Sequence, residues 1–522
     1  MEYDVVVVGG GPSGLSAAIK FAQLNKENGT SYSICLLEKG SEVGAHILSG
    51  NVFQPNALDE LIPDWKEKNA PLNIPVKKDK LLFLLNKFSI PVPAFVMPPM
   101  NNHGNYVISL GNLCRWLAEQ AENLGVEIFP GFPASKLIYE DEKVVGVQTG
   151  DMGISASGDI KPGHEPGIII KAKYTVLSEG CRGHLGKEVI NKFNLSDGKD
   201  PQHYGIGFKE VWKLQEGLHE PGLVMHTNGW PTPFDTPSGS YLYHGENNEA
   251  YVGYVVPLDY KNPSMSPFDE FQKWKTHPSI KKYLQGGERL SYGARALIKG
   301  GLQSLPKMEF PGGLLTGDNA GTLNFSKIKG SHTAMKSGLI AGEHIFENIN
   351  NDIKTDITYD DRILSSWIYT ELYKSRNFGP IFHKFGALIG AFLNALDQFI
   401  FRGKLPFTLN NPTPDHECLK KSSEVNKIEY PKPDGVFSFD KLSSVYLSNT
   451  NHEEDQPCHL QLKDPSIPIS VNLPMYDEPA QRYCPAGVYE VVNKEGEDRF
   501  VINAQNCVHF KTCDIKDPSQ NI

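Results

Sequence analysis

At 522 residues the chain is too long for a single hydrophobic core, and its length predicts two to four domains. A composition of 39% apolar and 21% charged residues excludes a fibrous, collagen-like or largely disordered protein. The net charge is -10 and the sequence has no basic stripe with interleaved aromatic residues, so a nucleic-acid partner is not expected.

The first predicted element is a buried parallel strand, because residues 4–8 are an aspartate followed by four valines. Residues 9–14 then read Gly-Gly-Gly-Pro-Ser-Gly and lead into a helix predicted from about Leu15 to Leu24. This is the G-x-G-x-x-G motif in a strand–turn–helix context, which predicts a dinucleotide-binding site.

Each glycine of this motif has a separate role. Gly9 makes the tight turn, Gly11 lets the backbone approach a pyrophosphate, and Gly14 allows the helix to pack closely on the strand. A second strand over residues 33–37 ends at Glu38, where a carboxylate accepts hydrogen bonds from the adenosine ribose. These residues do not choose between FAD and NAD.

Two later segments resemble the remaining FAD contacts of glutathione-reductase-like flavoproteins. They are Val-Leu-Ser-Glu-Gly-Cys-Arg-Gly at 176–183 and Gly-Gly-Leu-Leu-Thr-Gly-Asp-Asn-Ala-Gly at 312–321. The resemblance implies FAD, with Gly180 on the adenosine side and Gly317 and Asp318 at the ribityl–pyrophosphate region. From the residues alone, Asp318 could also be a turn former.

A helix is predicted to open near residues 329–333, just after Asn324. Asn324 and the N-terminus of this helix are expected at the pyrimidine end of the flavin. Helix N–H groups there stabilise negative charge on a reduced flavin.

The sequence contains two apolar stretches outside the flavin segments. The first, residues 81–100, is rich in proline and cannot form a regular helix, and in a soluble enzyme it would be a buried loop. The second, residues 378–407, contains an uncharged run of only 12 residues at 385–396, shorter than the roughly 20 that span a bilayer. Cations flank this run at 384, 402 and 404, which favours an interfacial helix; the alternative is a packed core helix.

The C-terminal cysteines form an incomplete iron–sulfur pattern. Four-iron clusters commonly use a C-x2-C-x2-C loop and a distant cysteine followed by proline. Cys484 precedes a proline, and Cys507 and Cys513 are the outer cysteines of a loop whose middle position holds Phe510. Three interpretations are open: a three-iron cluster on these cysteines, recruitment of another ligand such as His509 or Cys458, or loss of the cluster. For Cys458 the favoured interpretation is an ordinary buried thiol.

Together with the N-terminal FAD motif, the cysteine segments resemble the electron transfer flavoprotein-ubiquinone oxidoreductase family, almost from end to end. The resemblance implies FAD, one [4Fe-4S] cluster with a cysteine at the position of Phe510, and a peripheral place on an energy-transducing membrane. It further implies quinone contacts at the backbone of Ser238 and Gly239. Tyr489 and Thr512 are implied as hydrogen-bond donors to cluster sulfurs.

The expected fold class is α/β (α+β), with a glutathione-reductase-like FAD-binding Rossmann domain interleaved with a mixed-sheet quinone- and membrane-facing domain. A small ferredoxin-like iron–sulfur module follows. The predicted limits are 1–75, 105–190 and 300–350 for the FAD domain, 76–104 and 191–299 for the quinone domain, 351–410 for a helical membrane-surface segment, and 411–522 for the iron–sulfur module.

The predicted function is electron transfer from electron transfer flavoprotein to ubiquinone by a membrane-peripheral FAD enzyme. No catalytic side chain is nominated, because the electron steps need no nucleophile or general base. One alternative is a related FAD-dependent reductase or dehydrogenase of an isoprenoid or other lipid, with a vestigial cluster module. Another is a non-catalytic membrane-bound scaffold in which the flavin is structural. Reduction by electron transfer flavoprotein distinguishes the prediction from both.

The predicted location follows from cysteine usage and from the first residues. Eight cysteines are too sparse for a secreted disulfide framework and favour a reducing compartment. The chain starts almost directly at a strand, which leaves no room for a targeting segment. The cytoplasmic face of a bacterial inner membrane is expected, or the matrix face of a mitochondrial inner membrane if a presequence has been removed.

Overall fold

The computed structural model of the protein describes residues 1–47, 50–349, 356–450 and 452–522. The helices in these ranges are α1 (Pro12–Glu27), α2 (Asn56–Leu61), α3 (Leu110–Glu122), α4 (His184–Lys192), α5 (Pro267–Lys275), α6 (Pro278–Leu284), α7 (Ser331–Asn348), α8 (Tyr359–Ser365), α9 (Trp367–Ser375), α10 (Phe378–Ala395), α11 (Lys441–Leu447), α12 (Leu473–Tyr476), α13 (Ala480–Tyr483) and α14 (Thr512–Lys516).

The strands are β1 (Glu2–Val8), β2 (Ile34–Glu38), β3 (Asn51–Phe53), β4 (Ile74–Pro75), β5 (Lys78–Leu84), β6 (Ser89–Val92), β7 (Tyr106–Ile108), β8 (Glu127–Pro130), β9 (Ala134–Glu140), β10 (Lys143–Thr149), β11 (Met152–Ile154), β12 (Ile160–Glu165), β13 (Ile169–Leu177), β14 (Tyr204–Lys213), β15 (Leu223–Gly229), β16 (Gly239–His244), β17 (Glu249–Pro257), β18 (Glu288–Ile298), β19 (Glu309–Phe310), β20 (Gly313–Leu315), β21 (Tyr489–Lys494) and β22 (Glu497–Ile502).

The first large sheet carries the dinucleotide motif. Its strands run in the order β19-β20-β13-β1-β2-β8 and are parallel from β20 to β8. Strand β10 also pairs with β13, and β9 pairs with β10, both in antiparallel fashion. Helices α1 and α7 cross closely, and the absence of a side chain at Gly338 permits this: a Cβ there would lie 2.0 Å from the Ser13 carbonyl oxygen. This contact holds the N-terminus of α7 beside the glycine loop.

The second large sheet has seven strands in the order β18-β14-β17-β16-β15-β5-β6. Only β15 and β5 pair in parallel within it. One face packs on α5 and α6, where Phe271 and Trp274 are fully buried. Strands β5 and β6 come from between segments of the first sheet, so the two sheets are interleaved along the chain. The predicted fold class is confirmed; the predicted boundary at 350/351 lies outside the described residues.

The C-terminal module packs directly on this second sheet. It contains the hairpin β21–β22 and the helices α11 to α14. The Tyr292 hydroxyl donates to the Pro485 carbonyl at 3.1 Å, and the Ala296 N–H donates to the Phe510 carbonyl at 3.2 Å. Both donors lie on β18, so the module shares its hydrophobic core with the sheet. The packing supplies a core that a module of this size lacks alone.

Candidate active site

The glycine loop after β1 leaves room for a phosphate. A Cβ on Gly9, which has φ +109°, would lie 2.4 Å from the Ser178 carbonyl oxygen, and one on Gly14 would lie 2.1 Å from the Gly9 carbonyl oxygen. A Cβ on Gly11 would meet no atom within 4 Å. Gly9 and Gly14 are therefore required by the chain's own packing, whereas Gly11 faces open space at the N-terminus of α1, where a phosphate is stabilised.

Glu38 is held at the end of β2 by two backbone donors. The N–H groups of Gly10 and Gly40 donate to its two carboxylate oxygens at 2.9 and 2.6 Å. These bonds fix the carboxylate beside the glycine loop, in the position from which a ribose can be bound.

The other two predicted FAD segments meet beside this loop. The hydroxyls of Ser178 and Thr316 lie 2.6 Å apart and join the two segments. Gly180 has φ +76° and Gly317 has φ +58°, conformations that favour glycine. The Asp318 Oδ1 is buried and has no hydrogen-bond partner among the described residues. Burial raises the pKa of Asp318 to about 6, while Arg295 acts in the opposite direction. A buried acceptor without a donor fits a ribityl hydroxyl.

Asn324 has bonding partners within the protein. Its Oδ1 accepts from the Lys327 N–H at 3.3 Å, and its amide donates to Glu371 at 3.1 Å. Asn324 thus shapes the turn that leads to Gly330, the residue before the first turn of α7. Its predicted contact with the flavin stays a prediction.

Three cations border this region that sequence reasoning missed. The Arg295 guanidinium lies beside Gly180 and Asp318. Burial lowers the pKa of Lys39 to about 8, and the charges of Arg295 and Lys511 contribute. A concentration of positive charge beside the glycine loop fits a pyrophosphate.

Ser238 and Gly239 lie at the start of β16. Ser238 is buried, and its N–H donates to the Thr236 carbonyl at 2.8 Å. A Cβ on Gly239 would meet no atom within 4 Å, and its strand partner Asn228 has a buried Oδ1 with no partner in the described part of the chain. Space and an unpartnered amide therefore lie together at the predicted quinone contact.

A group of exposed apolar side chains, here called the apolar patch, adjoins this strand. It consists of Phe88, Ile90, Phe95, Phe234, Phe385, Leu388, Ile389, Phe392, Phe399, Ile400, Phe401 and Phe407, each at least 39% exposed. Phe95 contacts Phe399 with ring centroids 5.8 Å apart. The Phe234 carbonyl accepts from the Ala387 N–H at 2.6 Å, so the patch is continuous with the loop before Ser238. Exposed patches of this kind mark protein or membrane contacts.

The helical stretch Trp367–Phe401, 35 residues, could cross a membrane by length and composition. Two of its charged side chains, Glu371 and Arg376, are nevertheless held by the rest of the protein. Glu371 pairs with Lys327 and His332, and the Arg376 guanidinium donates to the Gly403 carbonyl at 2.7 Å. Gly386, at φ +70°, also interrupts α10. The stretch is therefore anchored to the protein on one side and apolar on the other.

The three predicted cluster cysteines converge. Burial raises the pKa of all three thiols, to about 11 for Cys507 and about 12 for Cys513, and the charge of Cys484 raises both further. Backbone N–H groups donate to each sulfur, including that of His509 to Cys507 at 3.4 Å. A bound metal would deprotonate these thiols.

Two buried hydroxyls border the same sulfurs. The Thr512 hydroxyl has no hydrogen-bond partner within the described ranges, and the Tyr489 hydroxyl is directed at the Cys513 sulfur. Burial, the charge of Cys513 and the hydrogen bond to Cys513 raise the pKa of Tyr489. Convergent thiols, N–H donors and these two hydroxyls fit an iron–sulfur cluster held by three thiolates.

Phe510 occupies the middle position of the cysteine loop, where a fourth cysteine ligand would lie. It is 7% exposed and lies between His509 at φ +56° and Lys511 at φ +65°. The ligand atoms of His459, Cys507 and His509 all lie within 4.8 Å of one another. Cys458 is exposed and its thiol donates to the Leu460 carbonyl at 3.2 Å, so the expectation of a packed thiol is wrong. The imidazoles of His459 and His509 therefore lie beside this loop, where either could act as a ligand.

Solved structures share this fold. A geranylgeranyl bacteriochlorophyll reductase-like protein from Thermoplasma acidophilum aligns with TM-score 0.56 and 18% identity, covering 77% of this chain and 97% of that one. A flavin-dependent brominase aligns with TM-score 0.53 and 17% identity, covering 76% and 90%. These likenesses concern the fold. The three predicted FAD segments, which meet beside the glycine loop on this fold, define a FAD-binding protein.

Family models match three parts of the chain. Residues 435–522 match "Electron transfer flavoprotein-ubiquinone oxidoreductase, 4Fe-4S", residues 204–297 match "ETF-QO, ubiquinone-binding", and residues 7–63 match an NAD(P)-binding Rossmann-like domain. The Pseudomonas aeruginosa electron transfer flavoprotein-ubiquinone oxidoreductase is 60% identical over all of this chain and 96% of its own length. The mitochondrial protein of Bos taurus is 52% identical over all of this chain and 86% of its own. The chain belongs to the electron transfer flavoprotein-ubiquinone oxidoreductase family.

Proposed function

We propose that this chain transfers electrons from electron transfer flavoprotein to ubiquinone at the surface of an energy-transducing membrane. One observation carries the proposal: the seven-stranded sheet holds the cysteine loop on β18 at one edge, and its other edge, β5 and β6, leads to the apolar patch. Arg295 on β18 also lies beside Gly180 of a flavin segment. One sheet therefore connects the cysteine loop and the flavin segments, which would receive electrons, with the apolar patch, which would face lipid.

The chain's own residues bind and orient the flavin. Gly11 admits the pyrophosphate, Glu38 holds the ribose, and Gly180, Gly317 and Asp318 line the remaining length of FAD. Bound FAD accepts electrons and releases them in steps of one or two. The N-terminus of α7 favours negative charge at the pyrimidine end of the ring.

Ser238 and Gly239 would position the quinone head group. Space over Gly239 supports this contact, as does the unpartnered Asn228 amide oxygen, which can accept a hydrogen bond from a quinol hydroxyl. Ubiquinone stays in lipid, and the apolar patch adjoins the loop before Ser238. A quinone could then reach β16 without crossing water.

The proposed attachment to the membrane is peripheral and monotopic. Half-buried Glu371 and buried Arg376 keep α9 on the protein. The patch side chains of α10 would enter the interface, with Lys384, Arg402 and Lys404 near head groups. Because bacterial and mitochondrial relatives exist, we assign this surface to the cytoplasmic face of a bacterial inner membrane or the matrix face of a mitochondrial one.

Replacing Leu388 and Phe392 together by aspartate should abolish binding to lipid vesicles while FAD content stays constant. Both side chains are exposed, at 53% and 63%. Burying each in lipid contributes about 1.5–3 kcal/mol, so binding should weaken at least tenfold per site. Vesicle flotation measures the fraction of protein bound to lipid. Ile160→Asp, at a 73% exposed site on the hairpin β11–β12, is the matched control. Equal flotation of the double variant and wild type would contradict the assignment of this patch.

The activity itself is tested with the purified protein in mild detergent, reduced electron transfer flavoprotein as donor and a short-chain ubiquinone as acceptor. The expected result is ubiquinol formation that depends on both. A lipid reductase would ignore the donor, and a scaffold would keep its flavin oxidised in the presence of the donor. Either result would contradict the proposal.

A further inference from the structure

A buried lysine joins the flavin segment to the quinone-facing sheet. Lys329 lies just before the N-terminus of α7 and is 5% exposed. Its ammonium donates to the Asn102 side-chain oxygen at 2.5 Å and to the Lys327 carbonyl at 3.1 Å. The backbone of Lys329 thus belongs to the predicted flavin region, while its side-chain ammonium contacts Asn102, in a loop next to β5.

Asn102 connects this ammonium to a carboxylate. Its backbone N–H and its side-chain amide both donate to the Asp79 Oδ2, at 2.8 and 2.9 Å. Asp79 on β5 lies opposite Val224 on β15, so its side chain shares the sheet face that carries His226 and Tyr243. That face belongs to the region matched by the ubiquinone-binding family model.

Asp79 also borders water-accessible space. It lines a cavity of about 380 Å³ together with Leu81, Met100 and His226. Pro91 and Lys282 line the same cavity and are exposed at the surface. An ionisable carboxyl therefore has solvent on one side and, through Asn102, a buried ammonium on the other.

We propose that Lys329 donates protons to the quinone, held in place by Asn102 and reprotonated from the cavity that Asp79 lines. The proposal rests on the proposed function, because ubiquinone takes up two electrons and two protons to become ubiquinol. The electrons come from electron transfer flavoprotein. For each proton, an N–H bond of Lys329 breaks as a quinone O–H bond forms, and the neutral amine then takes a proton from cavity water. Asp79 and Asn102 act as positioning residues.

The charges around Lys329 set its titration. Burial lowers the pKa of Lys329 to about 8; Asp79 and Glu371 oppose this shift and Lys327 adds to it. The other titratable groups facing it are His226 and His332, both with a pKa lowered by burial. The ammonium is present below about pH 8 and is lost above it. Quinone reduction should therefore slow as the pH rises through that value.

The test compares Lys329→Met, Asp79→Asn and the control Lys78→Met, which removes an exposed β5 lysine that pairs with Glu220 and does not line the cavity. Ubiquinone reduction and flavin reduction by electron transfer flavoprotein are measured separately between about pH 6 and 9. We expect Lys329→Met to slow quinone reduction by about 100-fold or more, while flavin reduction changes less than about twofold. The fall in the rate of quinone reduction at high pH, which we call the alkaline limb, should be absent from this variant. Asp79→Asn should move the alkaline limb to lower pH. Lys78→Met should resemble wild type.

Three results decide the matter. A wild type that passes no electrons to ubiquinone would overturn the proposed function. A working wild type whose rate and alkaline limb survive in Lys329→Met would overturn the role of Lys329, as would slowed flavin reduction in that variant. If Lys329→Met loses FAD, Asp79→Asn decides: a shifted limb with normal flavin reduction supports the proposal, and an unchanged limb overturns it.

Discussion

Gly11→Val is expected to give a folded, colourless protein without FAD and without electron transfer. Gly11 has φ -86° and ψ -178°, which valine adopts readily, and a Cβ there would meet no atom of the chain within 4 Å. Valine would instead occupy the space through which a pyrophosphate approaches the N-terminus of α1. The substitution should therefore remove the cofactor and leave the fold intact.

The ratio of flavin absorbance to protein measures this effect, and circular dichroism confirms folding. FAD occupancy should fall at least tenfold, because losing about 1.4 kcal/mol of phosphate contact already has that result. Gly150→Val is the matched control: its nearest neighbouring atom would lie 4.0 Å from the new Cβ, far from the glycine loop. A yellow, fully loaded Gly11→Val protein would show that the pyrophosphate lies elsewhere.

The glycine loop could be predicted from sequence because its determinants are local. Four valines followed by spaced glycines and an acid at the end of the next strand fix both the elements and their order. The predicted helix differs only at its ends: α1 begins at Pro12, since proline at the first turn needs no hydrogen-bond partner for its nitrogen.

Arg295 and Lys329 could not be identified this way. Arg295 reaches the flavin site because β18 pairs with β14, and nothing near it in sequence marks this contact. The role of Lys329 depends on Asn102 and Asp79, more than two hundred residues away along the chain. Single charged residues become informative only when tertiary structure places them in low-dielectric surroundings.

The apolar helix was partly predictable. Its uncharged run and flanking cations are sequence features, but the break at Gly386 arises from a tertiary contact. A Cβ there would lie 2.9 Å from the Phe234 carbonyl oxygen, which itself accepts from the Ala387 N–H. The loop before Ser238 thereby contacts the helix at its break, a relation that no local pattern contains.

Phe510→Cys should convert a cluster with one weakly held iron into one that keeps all its irons. Wild-type protein offers three converging thiolates, and Phe510 supplies no ligand at the fourth position. We propose that this iron is lost on oxidation, because a four-iron cluster is normally retained by four protein ligands. A thiolate at position 510, within the tight loop set by His509 and Lys511, completes that set.

The measurement is iron and sulfide per protein, with low-temperature EPR, before and after mild oxidation. Wild type and the control Phe510→Ala should lose one iron and develop a three-iron signal, whereas Phe510→Cys should lose none. Replacing the ring by either small residue costs about 3–5 kcal/mol of core packing, so the two variants share that loss and differ only in the ligand. If His509 already supplied the fourth ligand, wild type would retain its iron and His509→Ala would not. The same iron loss in Phe510→Cys as in Phe510→Ala would show that Phe510 is not the cause.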